Sequence, residues 1–245
     1  AFAPQSGKPL SDATFARLAT LADELDAGIS MELHRSNAEI SQSIAAHRVR
    51  PIERLWKLGL LTPAFNAVHM VHATAADIDL AQRTGISISL CPQSNLQLGN
   101  GLAPIAAYAA AGIRLGLGSG GAAAMSQDLW GEMKLMALTP HAALDAWDVL
   151  SFATRGGAAV LNLDGEVGTL EAGKWADLCC VDLSGPGTQP LRDPIGQTVM
   201  SGGRDIVTDV WVAGRQLLSG GELTRLDWPE VAARSAGWAA RMGHP

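Results

Sequence analysis

Four short apolar stretches, near Ile29, Val68, Ile86 and Leu115, are separated by stretches with helical spacing, and this alternation constrains the chain more than any other feature. Strands alternating with helical patterns join through right-handed crossovers and lie parallel in one sheet. From Ser11 to Asp26 the apolar positions Phe15, Leu18, Leu21, Ala22 and Leu25 recur at three- and four-residue spacing behind a Ser11 or Asp12 cap, which predicts an amphipathic helix. Ile29, Met31 and Leu33 then mark one face of a strand and leave Ser30, Glu32 and His34 on the other. Helical pattern runs from about Asn37 to Leu60, with Pro51 starting a new helix inside it. A strand over Ala67 to His72 passes through a Thr74 cap into a helix from Ala75 to Arg83. Gly85 to Cys91 reads as a third strand, Pro92 to Gly101 as a polar loop, and Ala103 to Ala111 as a short helix that hands over to the fourth strand.

That fourth strand opens the stretch Gly112 to Trp130 and breaks into Ser119, Gly120, Gly121 and three alanines. This is the carboxyl end of the strand, where a parallel sheet or barrel places its chemistry, yet no acid, base or ligand projects from these positions. The glycine run Gly116 to Gly121 lacks both the Lys-Ser/Thr of a phosphate loop and the spacing of a dinucleotide fingerprint. Beyond Trp130 come a helix carrying Met133, Leu135 and Met136 and another from about Leu144 to Leu161. The pattern then changes. Gly168 to Asp177 is turn-rich and leads into a strand from Leu178 to Leu183; Ile206 to Val212 and Arg215 to Leu218 form a hairpin across Ala213-Gly214; a helix from Trp228 to Met242 closes the chain.

At 245 residues with 47% hydrophobic side chains, the chain can bury a substantial core. Eighteen basic against 24 acidic residues give a formal charge of -6, and no run of Lys or Arg would track a phosphate backbone, so nucleic acid is not an expected partner. No apolar segment reaches the roughly 20 residues that span a bilayer, and the amino terminus lacks the build of a signal peptide, so the expected location is cytoplasmic with no membrane contact. Cys91, Cys179 and Cys180 make no disulfide framework; all three read as reduced core residues, with a soft metal ligand as the alternative.

Several stretches together resemble the amidohydrolase superfamily, specifically the metal-dependent deaminases acting on adenosine, S-adenosylhomocysteine and methylthioadenosine, which group with triazine hydrolases. They are Phe2-Ala3-Pro4 with Ser11-Asp12, Arg50-Pro51 with Leu58-Gly59-Leu60-Leu61, His69-Met70-Val71-His72, Cys91-Pro92-Gln93-Ser94-Asn95-Leu96 with Gly101, and Gly168-Thr169-Leu170-Glu171-Ala172-Gly173-Lys174 with Ala176-Asp177-Leu178. The resemblance implies an α/β fold: the C-terminal half of a (β/α)8 barrel, four βα units over residues 1–163, then part of a β-sandwich over 164–227 and a C-terminal helix over 228–245. It also implies a family chemistry in which a divalent metal, usually zinc, generates hydroxide while a carboxylic acid moves protons. The family's metal ligands are two histidines from the first barrel strand, one from the fifth and an aspartate from the eighth.

Laid on that pattern, the first strand here resembles the family's fifth. In Met31-Glu32-Leu33-His34-Arg35-Ser36, Glu32 stands where the family has its ligand histidine and Arg35 where it has the proton-shuttling glutamate. Gly120 stands at the ligand aspartate and Gln5 at a substrate-contacting histidine, while His69 keeps the position of the histidine that polarises substrate. Ser94 and Asn95 are candidate ligand-binding residues. Glu32 alone does not make the three- or four-ligand set that zinc chemistry requires and reads as a paired or solvated charge; Arg35 cannot serve as general acid or base and reads either as a grip on a carboxylate or phosphate or as a salt bridge, Glu32 being one partner within reach. His69 and His72, three apart on a strand, face opposite ways unless the strand ends between them. His34 and His47 read as structural, and Asp128 as a helix N-cap. The expectation is a degenerate amidohydrolase-like chain, without metal or other cofactor of its own, that holds a small polar or nucleoside-like ligand and either self-associates or pairs with another chain. The alternatives are an active deaminase and a non-catalytic subunit of a homologous chain.

Overall fold

The computed structural model describes residues 1–4, 10–121, 127–139 and 144–243. Its first part contains α1 (Asp12–Glu24), β1 (Ile29–Leu33), α2 (Asn37–His47), α3 (Pro51–Lys57), β2 (Phe65–His69), α4 (Ala75–Thr84), β3 (Ser87–Leu90), α5 (Pro92–Gln97), α6 (Ile105–Ala110), β4 (Arg114–Leu117), α7 (Leu129–Leu138), α8 (Ala146–Ala153) and α9 (Arg155–Val160). There follow β5 (Leu178–Val181), α10 (Pro194–Met200), β6 (Val207–Val212), β7 (Arg215–Ser219), β8 (Glu222–Leu223) and α11 (Trp228–Met242).

Strands β1 to β4 form one parallel sheet in sequence order, so every crossover carries helix, as the alternation predicts. The local signals explain the starts: the Ser11 hydroxyl accepts the Thr14 N–H ahead of α1, and Thr74 with Asp77 makes a reciprocal capping box for α4. Leu33, Phe65, Ala67, Ile88, Leu90 and Tyr108 are buried between sheet and helices. Helix α9 lies against β4 at a close approach that only glycine permits, since a Cβ on Gly156 would stand 2.3 Å from the Leu115 carbonyl oxygen. At the opposite edge Phe2 continues the sheet beside β1, donating its N–H to the Gly28 carbonyl and accepting the Ser30 N–H, both at 2.8 Å.

Strands β5 to β8 form a separate antiparallel sheet, in which β6 and β7 turn across Ala213 (φ 50°) and Gly214 (φ 75°), the conformation of a tight two-residue hairpin. Helix α10 packs against α7 and α8.

Four expectations need correction. Pro92 to Gly101 is not simply a loop, because Pro92 occupies the first position of α5, where its fixed φ favours a helical turn. The second strand ends at His69 instead of His72, where His69 and Met70 take φ of 77° and 47° and leave the extended conformation. The helix read from Leu144 to Leu161 breaks at Thr154, whose φ and ψ of -116° and -95° are not helical. Cys91 is buried as expected, but Cys179 and Cys180 are exposed, because β5 is exposed at all four residues. Among the described residues no helix is long and apolar enough to cross a membrane.

Candidate functional site

A cavity of about 410 Å³ opens at the carboxyl ends of β1 to β4, lined by Ser30, Glu32, Asn66, Ser89, Cys91 and the Gly118 to Gly121 turn. Its floor follows from strand periodicity: Ser30 and Glu32 share one face of β1, and the register sets Ser30 beside Asn66 and Glu32 beside Val68. There Ser89 Oγ donates to Asn66 Oδ1 at 3.0 Å and Asn66 Nδ2 donates to Ser30 Oγ at 3.2 Å, a polar ladder across three strands. A ladder of this kind leaves each hydroxyl oxygen with capacity for a further partner from the cavity.

Arg35 is positioned by the turn after β1, where the Glu39 carboxylate accepts the N–H groups of His34 at 3.0 Å and Arg35 at 2.9 Å. Its guanidinium donates to Glu32 Oε2 at 2.9 Å, which is the salt-bridge alternative for Arg35. Arg35 lines not the strand-end cavity but a second one of about 460 Å³, between β1, α1, α2 and α3, to which His47 contributes as well. Glu32 Oε1 lies 3.7 Å from His69 Nε2. His69 is buried at the end of β2, and neither of its ring nitrogens makes a hydrogen bond. A non-glycine residue held at positive φ is costly and is met where surrounding structure over-determines it, often at a binding site.

Gly120 closes the arrangement. Its φ is 75°, and a Cβ there would stand 2.7 Å from both Cβ and Oγ of Ser94 and 3.5 Å from His69 Cε1. Glu32, His69, Ser94 and Gly120 therefore lie close together, the first two at 3.7 Å. Asn95 lies on α5 with Ser94 and is buried with Oδ1 unpaired; Ser94, Asn95 and His69 stand behind the cavity wall and do not line it. Gln5 and the alanines Ala122 and Ala123 lie outside the described residues. His72 lies beyond the strand end, and its carbonyl accepts Arg50 Nη2 at 2.6 Å. His34 is structural: its Nε2 accepts the Ile52 N–H at 3.2 Å and its Nδ1 lies 3.7 Å from Asp77 Oδ2. Asp128 caps α7 by accepting the Trp130 N–H at 3.0 Å.

Sequence reasoning missed Glu132, which has no exposed surface and accepts the Gln93 N–H at 2.8 Å. Burial pushes its carboxyl up to about 7, with Asp128 adding to the rise and the Gln93 N–H and His69 opposing it. An acid in the first turn of a helix reads as a response to the helix dipole, which hid its burial.

The residues in place do not by themselves fit a zinc ion. Among the described residues no group of three or more His, Cys, Asp and Glu could hold a metal, and the Glu32 carboxylate is engaged by Arg35. A zinc site draws three or four such donors from the protein.

Comparison with known proteins agrees with the architecture. The Amidohydrolase family matches residues 1–217. A 5-methylthioadenosine/S-adenosylhomocysteine deaminase of Teredinibacter turnerae is 38% identical over 249 residues, covering 99% of this chain and 56% of that protein. A 5'-deoxyadenosine deaminase of Methanothermobacter thermautotrophicus is 32% identical, covering 99% of this chain and 58% of its own length. Among solved structures, an adenosine deaminase of Xanthomonas campestris with bound zinc superposes with a TM-score of 0.94 at 39% identity, over 98% of this chain and 56% of that one. A zinc complex of an atrazine chlorohydrolase from Arthrobacter aurescens gives a TM-score of 0.91 at 27% identity, over 97% and 54%. The chain thus spans little more than half the length of these relatives, and within that span it belongs to the amidohydrolase family.

Proposed function

We propose that this chain is the C-terminal half of a deaminase-type (β/α)8 barrel, residues 1–163, with a sandwich portion over 164–227 and a helix over 228–245. Its strand-end pocket takes a small polar or nucleoside-like ligand, and its own residues do not support metal-dependent catalysis. The observation that carries this reading is the fate of the family's ligand positions: Glu32 is neutralised by Arg35 at 2.9 Å, and Gly120 has no side chain and no room for one beside Ser94. Removing a single preorganised catalytic group commonly costs ~10²-fold or more in rate. What remains is suited to binding. The Ser30-Asn66-Ser89 ladder offers hydroxyl and amide groups to a polar ligand.

Four βα units do not close a barrel, which standardly has eight. The sheet edge at β1, extended by Phe2, and the edge at β4 are accordingly read as surfaces that pair with a further part of a longer protein, with a second copy or with a homologous chain in the cytoplasm. No nucleic-acid or membrane partner enters the proposal.

One specific observation favours an active deaminase: the zinc-holding adenosine deaminase of Xanthomonas campestris shares 39% identity with this chain, and nearly half of that protein lies outside the match. Calorimetric titration with adenosine, 5'-methylthioadenosine and S-adenosylhomocysteine, alongside ammonia release in the presence of zinc, separates the readings. Saturable binding without ammonia supports the proposal; zinc-dependent turnover by this chain refutes it.

A further inference from the structure

Glu132 is a fully buried acid that does not line the strand-end cavity. Carboxylates are seldom buried to this degree unless they are paired. One oxygen, Oε2, accepts the Gln93 N–H at 2.8 Å, while Oε1 makes no hydrogen bond. Gln93 is the second residue of α5, a helix of six residues whose N-cap residue, Cys91, supplies no side-chain hydrogen bond. Helix starts leave N–H groups unpaired, and so short a helix is not held by its own ladder. Glu132 therefore supplies from α7 the cap that α5 lacks. The two helices also meet closely at the preceding residue, since a Cβ on Gly131 would lie 3.1 Å from Gln93 Oε1.

Helix α5 carries Ser94, whose Cβ and Oγ stand 2.7 Å from the position a Gly120 Cβ would take, with His69 Cε1 3.5 Å from the same point. We propose that Glu132 is a positioning residue of the pocket: by holding the Gln93 N–H it fixes α5 so that Ser94 stands against Gly120 and beside His69. The inference rests on reading the strand-end cavity as the ligand site. An ionised carboxylate makes the stronger hydrogen bond to an N–H, and a carboxyl pushed up by burial changes form within the neutral range, so the hold is set by pH. The titratable and charged groups that face Glu132 are His69 from β2, Asp128 from its own helix with Arg204 3.7 Å beyond it, and Cys91 at the start of α5.

The test is an amide and histidine-ring NMR titration of the whole chain from pH 6 to 8.5, on wild type, Glu132→Gln and Glu132→Ala. In wild type the Gln93, Ser94 and Gly120 amides are expected to move together through one transition near neutrality. Glu132→Gln keeps an acceptor for the Gln93 N–H but cannot ionise, so that transition disappears while thermal stability stays near wild type. Glu132→Ala displaces the Ser94 and Gly120 signals at every pH and weakens nucleoside binding by about tenfold, the loss of one buried hydrogen bond. A Glu132→Gln protein that keeps the transition overturns the proposal, and so do unmoved Ser94 and Gly120 signals in Glu132→Ala. If Glu132→Ala does not fold, the Glu132→Gln titration decides alone. If wild type binds no nucleoside, the ligand reading fails while the amide signals still decide the role of Glu132.

Discussion

His34 should make the chain acid-sensitive in a way that one substitution isolates. Burial lowers its pKa from 6.5 to about 4; Arg50 and His72 lower it further, while Asp77 pulls the other way. In the fold its Nε2 is an acceptor for the Ile52 N–H, a role that only the neutral ring can fill. The unfolded chain takes up the proton near 6.5 and the folded chain only near 4, so this stability is complete above 6.5 and is lost as pH falls toward 4. The loss comes to about 2 kcal/mol by pH 5 and about 3 kcal/mol by pH 4. Glu132 acts in the opposite sense: its folded carboxyl binds a proton near 7 where the free side chain waits until 4.5, so its contribution improves as pH falls. The total pH dependence therefore mixes two opposed effects, and the useful quantity is a difference. His34→Gln keeps an acceptor oxygen for the Ile52 N–H but does not titrate. Urea unfolding of wild type and His34→Gln should show the wild-type advantage shrinking by about 2 kcal/mol between pH 7.5 and pH 5. A difference constant to within about 0.5 kcal/mol over that range, or one that grows, would refute the assignment of His34 as a buried neutral acceptor.

Two further substitutions test packing at the sheet and at the site. Gly156→Ala should destabilise the chain by about 1–3 kcal/mol in urea melts, because the added Cβ meets the backbone oxygens of Leu115 at 2.3 Å and Ser151 at 3.1 Å; an effect under about 0.5 kcal/mol would show that α9 does not lie so close to β4. Gly120→Asp should cost about 1–3 kcal/mol for the same reason, compounded by its positive φ, and should not create a tight zinc site. A Gly120→Asp protein as stable as wild type that binds one zinc per chain would show that the Asp position had lost only its side chain.

What the sequence made legible was the locally encoded part of the fold. Ser11 and Thr74 announce α1 and α4 through their own caps, Pro51 starts α3, and Ala213-Gly214 turns the β6 to β7 hairpin, because each signal acts within a few residues of itself. The features that stayed hidden are set at a distance. Strand β2 stops at His69 because packed surroundings hold a non-glycine residue at positive φ, which no residue type announces. The alternation around Cys179 and Cys180 predicts a strand correctly but says nothing of which layer would cover it, so both thiols prove exposed. Helix α5 has no helical signature of its own beyond Pro92, because its cap, Glu132, comes from a helix 39 residues along the chain. At the site, the resemblance pointed to Gln5, Glu32, Arg35, His69, Ser94, Asn95 and Gly120 as candidates; only the geometry shows that Arg35 occupies the Glu32 carboxylate and that Ser94 fills the space beside Gly120.

We propose above that the strand-end pocket of this chain binds its ligand without forming a metal centre of its own. The most direct measurement is metal content by plasma mass spectrometry, after saturation with zinc and exhaustive exchange into metal-free buffer. With Glu32 held by Arg35 and Gly120 at the aspartate position, zinc should remain well below one equivalent per chain. One tightly held equivalent would show that the pocket still builds a metal site.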